Sequence, residues 1–488
     1  MEWPRSKRYR TLNDISETEY NSLLERVNHC PYRETYHIQP KTGLLNDPNG
    51  FSFFQGEYHL FYQWFPLGPV HGLKHWYHVS SKDLVHWKDC GIGLSPEKYY
   101  ESHGVFSGTG FVKGDQLYLF YTGNTRDKDW IRTPYQCLAV MDSKGNIVKH
   151  EEPLICDSPK EYTDNFRDPK VFQQDDTYYC LIGAETKENK GVVAYYSSAD
   201  LIHWEYEGAL DIPSVNGFML ECPDYFELND QGILIFCAQG QKPDGDHFRN
   251  IFPAGYVIGD KIDFKHPEIT GNEYQELDRG FDFYAPQTTL DEKGRRILVG
   301  WLGLPGVDCI TDENEWAHCL TLPRELQVID GRLYQKPAAE LENIRKNQRS
   351  AASEISGEKT FDGFCGKIYN LECTFTDLKC KKAGVKLRTG ENEETLFYLD
   401  KTTNKLVLNR EKSGRLYAEE YGQIRQCDFD EDHLKLQIFV DTSSIEIFIN
   451  DGLEVFTTRI YTQEESQGIT FFAEGNAKLQ ASIWDLKL

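Results

Sequence analysis

The sequence of 488 residues lacks three features that would place it in large functional classes. It contains no uninterrupted apolar stretch long enough to cross a bilayer, which argues against a transmembrane helical protein. Basic residues are too few to balance the acidic ones, since 53 Lys and Arg stand against 77 Asp and Glu and the formal charge is −24. Because so acidic a chain repels phosphate backbones and anionic lipids, we expect neither nucleic acid nor a membrane as partner.

Paired cysteine motifs are the third missing feature. The 13 cysteines are scattered singly from Cys30 to Cys427 without a CxxC pair, which argues against a zinc ribbon or a thioredoxin-type motif. The basic residues near Met1 are not followed by the apolar run of a secretory signal, and no Asn-x-Ser/Thr sequon occurs. These features predict a cytoplasmic protein whose cysteines are reduced.

What the sequence does contain is a repeat. Five short runs rich in aromatic and aliphatic residues align at nearly even intervals, on Phe61, Phe120, Leu181, Phe236 and Val299. Short runs of this composition favour strands over helices. A period of about 60 residues with several strands per unit is typical of propeller blades. The sequence therefore predicts an all-β protein with a five-bladed β-propeller over residues 31–337.

The segments that flank the repeat follow other patterns. Residues 1–30 are predicted to form a short N-terminal helical extension, because a Ser16–Glu19 capping box precedes apolar residues at helical spacing. A charged linker is predicted over 338–350. Residues 351–488 alternate between polar and apolar and include the turn signal Asn450-Asp451-Gly452. They predict a C-terminal β-sandwich packed on the propeller.

Three carboxylates, Asp47, Asp168 and Glu221, precede the aligned positions of their runs by nearly the same offset. Because the first strand of each propeller blade lines the central axis, we expect these side chains to converge there. Each has a simpler interpretation when taken alone, such as a turn for Asp47 in Asp-Pro-Asn-Gly or a surface ion pair for Arg167 and Asp168. Their similar offset favours a common site.

Carboxylates that converge beside aromatic rings suit a carbohydrate. The rings of Trp64, Trp76, Tyr284 and Trp301 could stack on the C–H faces of sugars, and carboxylates accept hydrogen bonds from hydroxyls. Glycoside hydrolysis needs two carboxyls, one as acid and one as nucleophile or base. Crowding several carboxylates raises the pKa of one of them, which supplies a protonated acid near neutral pH.

Seven motifs resemble those of glycoside hydrolase family 32, the invertase or β-fructofuranosidase group: Asn46-DPNG, Phe61-YQ, His75-Trp76, Phe106-SG, Arg167-DP, Glu221-Cys222 and Tyr284-APQ. The resemblance extends over nearly the whole chain. Within the family, the stretch Phe61-YQWFPLGPVHGLKHWYH is most similar to bacterial cytoplasmic enzymes that hydrolyse sucrose 6-phosphate to glucose 6-phosphate and fructose. One departure is Thr109, where Ser is frequent, and it keeps the hydroxyl.

The resemblance implies catalytic roles. Asp47 would be the nucleophile that attacks C2 of the fructosyl unit with net retention, and Glu221 would be the acid/base. Asp168, with Arg167, would hold fructose hydroxyls and stabilise the transition state. Retention requires the two reacting carboxyls to lie about 5 to 5.5 Å apart. The implied substrate-binding set is Leu44, Leu45, Asn46, Gln63, Trp76, Phe106, Ser107, Arg167, Tyr284 and Trp301.

Several alternatives remain open at this point. A phosphorylated substrate needs local positive charge, for which the candidates are His71, Lys74, His75 and Arg249. No cofactor is expected, and no metal, because His71, His75 and His78 fall in a non-helical stretch. The competing functions are an invertase on free sucrose or fructo-oligosaccharides, a transfructosylase, an arabinanase-like hydrolase and a non-catalytic carbohydrate-binding protein. A monomer and a homodimer are equally compatible with the sequence.

Overall fold

A computed structural model describes residues 3–213 and 215–488 of the protein. Strands dominate, and they form five small antiparallel sheets followed by one large sheet near the C-terminus. The prediction of an all-β protein with a five-bladed propeller and a β-sandwich is confirmed. No helix in the described ranges combines the length and the apolar character needed to span a bilayer.

The N-terminal extension contains helix α1 (Arg5–Arg8), a 3-10 turn (Leu12–Asp14) and helix α2 (Glu17–Asn28). The Ser16 hydroxyl accepts a hydrogen bond from the Glu19 amide at 3.1 Å, so Ser16 is the N-cap of α2. Leu23 and Val27 are buried on one face of this helix, where they pack against Trp316. The extension is therefore attached to the propeller by an apolar contact.

The propeller blades follow one another along the chain. Blade 1 contains β1 (Gly43–Phe54), β2 (Glu57–Phe65), β3 (His75–Ser81) and β4 (Lys88–Leu94). Blade 2 contains, after a 3-10 turn (Tyr99–Glu101), β5 (Val105–Lys113), β6 (Gln116–Arg126), β7 (Arg132–Asp142) and β8 (Ile147–Lys149). Blade 3 contains β9 (Tyr162–Gln174), β10 (Thr177–Thr186), β11 (Gly191–Ser198) and β12 (Glu205–Ala209). Blade 4 contains β13 (Met219–Leu228), β14 (Gln231–Gln239), β15 (Ala254–Gly259) and β16 (Gln275–Glu276).

Blade 5 completes the ring. Its sheet contains β17 (Tyr284–Leu290), β18 (Arg296–Leu302), β20 (Cys319–Leu320), β21 (Arg324–Ile329) and β22 (Arg332–Pro337). A 3-10 turn (Ile310–Asn314) and the short strand β19 (Trp316–Ala317) lie between β18 and β20. Strand β19 pairs in parallel with the start of β1, which joins the end of the propeller to its beginning. The first strands of the five blades contact one another in sequence around the axis, with β17 returning to β1. Side chains on these five strands are therefore directed to one shared centre.

The C-terminal domain is a curled sandwich. After a 3-10 turn (Ala339–Ile344) its strands are β23 (Arg345–Lys359), β24 (Tyr369–Thr389), β25 (Glu394–Asp400), β26 (Lys405–Lys412), β27 (Ile424–Asp428), β28 (Leu434–Val440), β29 (Ser444–Ile449), β30 (Glu454–Arg459) and β31 (Gly468–Leu486), with 3-10 turns at Glu419–Tyr421 and Asn450–Gly452. The first part of β24 pairs with β28 and its last part with β25, so this long strand belongs to both layers. Asp451 has a φ of 62° in the turn between β29 and β30, which are paired as the turn signal predicts.

The segment predicted as a linker, 338–350, has regular structure instead. It consists of the 3-10 turn at Ala339–Ile344 and the first residues of β23, which pairs with β31. Leu341 and Ile344 are buried, while Arg349 lies on the outer side and contacts Asp485 at 2.7 Å. The run of charges that suggested a linker is thus the solvated face of an edge strand.

Candidate active site

All five first strands carry the same irregularity. At one point in each blade, an advance of three residues along the first strand is matched by an advance of only two residues along the second strand. Every blade therefore has a β-bulge at an equivalent position. The irregularities lie between Leu45 and Pro48, Val105 and Gly108, Arg167 and Lys170, Glu221 and Asp224, and Tyr284 and Gln287. Proline is tolerated there because a bulge leaves one residue outside the hydrogen-bonded ladder.

The three predicted carboxylates lie at three successive positions of this bulge. Glu221 is the last paired residue before it, Asp168 is the next position in blade 3, and Asp47 is one position further in blade 1. Asp168 has a φ of 68°, a conformation that bulges accommodate and regular strands do not. The three carboxylates thus occupy different positions within one local structure.

Glu221 is held by hydrogen bonds on both carboxylate oxygens. Its Oε1 accepts two bonds from the Arg167 guanidinium, from Nε at 3.0 Å and from Nη2 at 2.6 Å. Its Oε2 accepts one bond from the Tyr284 hydroxyl at 2.6 Å and another from Gln239 Nε2 at 2.5 Å. The head group therefore has a fixed orientation toward the axis.

Asp47 is fixed by neighbours from blades 1 and 2. The Ser107 hydroxyl donates to its Oδ2, and Asn46 Nδ2 donates to its Oδ1 at 3.0 Å. Gln63 links these two partners, because it accepts from Asn46 at 2.6 Å and donates to Ser107 at 2.8 Å. Burial raises the pKa of Asp47, and the charge of Glu221 acts in the same direction, whereas the hydrogen bonds oppose the shift.

Asp168 is the most crowded of the three. Burial raises its pKa to about 7; the charges of Glu221 and Asp47 add to this effect and the Arg167 guanidinium, 4.0 Å away, opposes it. Its Oδ2 accepts a hydrogen bond from the Cys222 amide at 3.0 Å. The Cys222 thiol lies 3.6 Å from Asp168 Oδ2 and 3.9 Å from Asp47 Oδ2, so this side chain is placed between the two carboxylates. Crowding of carboxyls, predicted from the sequence, is thus present at the axis.

A cavity of about 280 Å³ opens above these groups. Ten of the thirteen predicted site residues line it: Asn46, Asp47, Gln63, Phe106, Ser107, Arg167, Asp168, Glu221, Tyr284 and Trp301. Leu44, Leu45 and Trp76 lie behind its wall. Leu44 packs against Cys309 and Ala317, and Leu45 belongs to the main propeller core. Leu44 and Leu45 are adjacent, so their side chains point to opposite faces of β1, and both faces are packed at this point.

Trp76 supports the wall from behind. It is fully buried, and its indole N–H donates to the Phe106 carbonyl at 3.0 Å. Its ring packs against Phe61 and Tyr121. Trp76 therefore positions the residue next to Ser107 and does not line the cavity itself.

The basic residues proposed from the sequence are divided by the fold. His71 and Lys74 line the cavity. Lys74 donates to Asn46 Oδ1, and burial lowers its pKa to about 7 although Asp47 opposes the shift. His75 is buried against Trp64, and the exposed Arg249 contacts the Gly245 carbonyl at 3.4 Å. These last two side chains are not part of the cavity.

Six further polar or charged residues of the cavity were not predicted: Arg8, Tyr9, Asn124, Arg126, Arg132 and Gln239. Arg126 and Arg132 are direct cross-strand partners at the end of the β6–β7 hairpin. Two arginines flanking a short loop are visible in the sequence, but their position over the axis follows only from the blade. Arg8 comes from α1, and no local pattern connects it with the propeller.

Comparison with known proteins agrees with this geometry. Residues 37–337 match the N-terminal domain of glycosyl hydrolases family 32, and residues 340–485 match the C-terminal part of the same family. The chain belongs to glycosyl hydrolases family 32. The resemblance stated from the sequence motifs is therefore confirmed, and the protein is an enzyme that hydrolyses glycosidic bonds.

Individual family 32 relatives cover the whole length of the chain. A sucrose-6-phosphate hydrolase of Staphylococcus xylosus is 43% identical, and the alignment covers 100% of this chain and 99% of the relative. The solved structure of a sucrose-6-phosphate hydrolase from Lactobacillus gasseri has a TM-score of 0.93 at 36% identity, covering 100% and 99% of the two chains. A mutant family 32 β-fructofuranosidase of Bombyx mori in complex with sucrose has a TM-score of 0.82 at 32% identity, covering 97% and 99%.

Proposed function

We propose that the protein is a β-fructofuranosidase that hydrolyses sucrose 6-phosphate to glucose 6-phosphate and fructose. The carboxylates at the propeller axis support the bond cleavage, and the names of the relatives support the choice of substrate. One feature of this structure also favours a phosphorylated substrate: the arginine pair Arg126 and Arg132 lines the cavity.

In the proposed mechanism, Asp47 is the nucleophile. Its carboxylate attacks C2 of the fructosyl unit, the bond from C2 to the bridging oxygen breaks, and a fructosyl ester on Asp47 forms. The hydrogen bonds from Asn46 and Ser107 hold this carboxylate in one orientation. Water then attacks the same carbon and releases fructose, so that the configuration at C2 is retained.

Glu221 is the proposed acid/base. It donates a proton to the bridging oxygen as glucose 6-phosphate leaves, and it then accepts a proton from the attacking water. The contacts from Arg167, Gln239 and Tyr284 fix the position from which it acts. Asp168 is proposed to hold fructose hydroxyls and to stabilise the positive charge that develops at C2.

The arginine pair points to an anion at the leaving-group end. Arg126 and Arg132 face each other across two strands, which is unfavourable for like charges unless an anion lies between or above them. Within the described ranges neither has a carboxylate within salt-bridge distance, and the Nε atoms of both are buried without a hydrogen-bond partner. A phosphate dianion would satisfy such a pair, because guanidinium groups bind phosphate through several N–H donors.

A cytoplasmic location is part of the proposal. All 13 cysteines are free, and nine of them are buried as small apolar side chains, which suits a reducing compartment. A sugar phosphate is also a substrate expected inside a cell. Fractionation of the source cells, with the activity found in the cytosolic fraction, would support this location; activity confined to the medium would contradict it.

The substrate assignment is tested by kcat/KM for sucrose 6-phosphate and for sucrose. We expect the wild type to prefer the phosphorylated sugar, and Arg126→Gln and Arg132→Gln to lose that preference by about 10-fold or more each, since a charged hydrogen bond contributes about 1.5–3 kcal/mol. Arg415→Gln is the matched control, because Arg415 lies in the sandwich and contacts Glu313. Equal kcat/KM values for both sugars in the wild type would refute the preference and favour an invertase.

The catalytic assignment has its own test. Asp47→Asn and Glu221→Gln keep the size of each side chain, and we expect each to reduce hydrolysis by at least about 10³-fold in a folded protein. Circular dichroism and thermal melting check that the fold is retained. Activity within tenfold of the wild type in either variant would remove that residue from its proposed role.

A further inference from the structure

The N-terminal arm, defined as residues 3–10, covers one side of the cavity. It includes α1, and two of its residues, Arg8 and Tyr9, belong to the cavity wall. The carboxylates, by contrast, all come from the propeller strands. The site is therefore built from two parts of the chain that no repeat pattern connects.

One side of the arm is docked on a loop of blade 1. The Leu73 amide donates to the Arg8 carbonyl at 2.8 Å, and the Trp3 ring packs edge-on against Phe65 at 6.4 Å. Two glycines of this loop permit the contact: a Cβ at Gly72 would overlap the Arg8 carbonyl, and a Cβ at Gly68 would overlap the Trp3 ring. The arm thus packs closely against this loop.

The other side of the arm is docked on blade 2. The Tyr9 ring lies 5.2 Å from the His103 ring and 5.3 Å from the Trp130 ring, and the Arg5 guanidinium stacks over Trp130 at 4.2 Å. Trp130 belongs to the loop between Arg126 and Arg132, and its carbonyl accepts a hydrogen bond from Arg126 at 3.1 Å. The arm therefore spans from the blade 1 loop to the loop that carries the arginine pair.

Arg8 is the charged group that the arm brings to the cavity. Its side chain is half-buried, and its Nε donates to the Trp3 carbonyl at 2.9 Å, which fixes the direction of the guanidinium. Among the described residues no carboxylate lies within salt-bridge distance of it, whereas Arg167 of the same cavity is paired with Glu221. A guanidinium without a carboxylate partner, in a cavity that also holds Arg126 and Arg132, favours an anionic ligand there.

We propose that the N-terminal arm is a specificity element for the phosphorylated sugar, with Arg8 as a third guanidinium for the substrate phosphate and Tyr9 closing the leaving-group end of the cavity. This inference rests on the proposed function, because it assigns part of the binding energy for the same substrate. It adds that part of the selectivity resides in a segment outside the propeller, next to the arginine pair of blade 2, whereas fructosyl cleavage resides within the propeller.

The arm can be altered without touching the catalytic strands, which makes the test specific. Arg8→Gln removes the guanidinium charge, and Arg8→Lys retains a cation. Lys7→Gln is the matched control, since Lys7 is the adjacent, exposed residue of the same helix and does not line the cavity. Each protein is assayed for kcat and KM on sucrose 6-phosphate and on sucrose, at low and at high salt.

We expect Arg8→Gln to raise KM for sucrose 6-phosphate by about 10-fold, with kcat and the sucrose values nearly unchanged, because the lost contact is to the phosphate. Arg8→Lys should recover part of the loss, and Lys7→Gln should match the wild type. Deletion of residues 2–10 should reduce the preference at least as much as Arg8→Gln does, while leaving sucrose hydrolysis measurable.

Two results would overturn the inference. One is an equal loss on both sugars in Arg8→Gln, which would make the arm a structural support only. The other is an unchanged preference in Arg8→Gln while Arg126→Gln loses it, which would leave the proposed function intact and remove Arg8 from phosphate binding. A wild type without preference would instead refute the proposed function itself.

Discussion

At the scale of single residues, the site places three carboxylates so close together that their negative charges repel one another. Asp168 is 4% exposed and lies beside Glu221 and Asp47, and its pKa is raised to about 7 mainly by burial. Between about pH 4 and pH 7 the folded state therefore keeps a proton that the unfolded state has lost. Because the folded state binds more protons in this range, the free energy of unfolding contributed by this group falls as pH rises.

The first prediction concerns the stability that the protein loses by keeping the Asp168 carboxylate buried. Asp168→Asn should abolish activity but raise the free energy of unfolding by about 1–3 kcal/mol at pH 8, since the buried charge is removed. The gain should shrink as pH falls through about 7 and disappear below about pH 4, where the carboxyl is protonated in both states. Thermal melting of wild type and variant at pH 4.5, 6 and 8 measures this difference.

Asp200→Asn provides a contrast with the opposite sign. Asp200 is an exposed carboxylate whose pKa is lowered by hydrogen bonds from the His203 amide and side chain. Its replacement should lower the melting temperature at pH 8. If Asp168→Asn melts at a lower temperature than the wild type at pH 8, the buried Asp168 carboxylate does not destabilise the folded state as predicted.

At the scale of elements, the bulge in each first strand determines the geometry of the site. Neighbouring bulges are connected by side chains, and Thr109 is one such connection. Its hydroxyl donates to the Pro169 carbonyl at 2.8 Å and accepts from the Val171 amide at 3.3 Å, which joins blade 2 to the bulge of blade 3 next to Asp168. The sequence identified Thr109 only as a departure from a frequent Ser, whereas the structure shows that its hydroxyl connects two blades.

The second prediction follows from that connection. Thr109→Val keeps the shape but leaves a buried carbonyl and a buried amide without partners, so we expect a loss of about 1–3 kcal/mol in stability. We also expect a lower kcat, because Asp168 loses part of its support. Thr109→Ser is the control and should retain both properties. The two variants are compared by denaturant unfolding and by steady-state kinetics, and equal behaviour of both would contradict the role of the hydroxyl.

At the scale of the whole molecule, a buried ionic network joins the chain before the propeller, the propeller and the sandwich. His37 contacts Asp441 at 2.9 Å and Glu446 at 3.1 Å, and Arg324 contacts Glu446 at 2.6 Å and Asp278 at 3.0 Å. All these side chains are fully buried. Such a network fixes the relative position of the two domains, because breaking one pair leaves the other charges uncompensated in the interior.

The third prediction concerns the buried His37. Burial lowers its pKa, but the hydrogen bonds and charges of Asp441 and Glu446 act more strongly in the opposite direction and raise the pKa to about 10. Its contribution to stability is fully present below the unfolded-state pKa of about 6.5 and is lost as pH rises through about 10. His37→Gln should therefore cost about 3–5 kcal/mol at pH 6, and less at pH 10.

Calorimetry across this pH range provides the measurement. His86→Gln is the matched control, since His86 makes a similar contact of 2.7 Å to Asp83 but is 56% exposed, and we expect it to change little. A cost for His37→Gln that stays constant from pH 6 to pH 10 would show that the charge of His37 is not what stabilises the domain contact.

Much of the fold and of the site was predictable, because the information was local or periodic. Alternation of apolar residues determines strands, and a repeat of about 60 residues determines blades, so the five-bladed propeller followed from the sequence. The motifs around Asp47, Asp168 and Glu221 identified the family for the same reason. The charged run in the segment predicted as a linker did not reveal the start of β23, because a run of charged residues looks the same on a solvated strand face as in an irregular segment.

The sequence alone predicted the fold class through a repeat at nearly fixed spacing, and its motifs, through their resemblance to family 32, indicated the family and the residues expected to cleave the bond. The tertiary structure decided what no spacing specifies: that Leu44, Leu45 and Trp76 lie behind the cavity wall, and that Arg8, Arg126 and Arg132 lie on it. The physical reason is that contacts between a terminal arm and two blades depend on shape and packing in three dimensions. An acidic protein of charge −24 thereby places four guanidinium groups, those of Arg8, Arg126, Arg132 and Arg167, in the cavity that holds its three carboxylates.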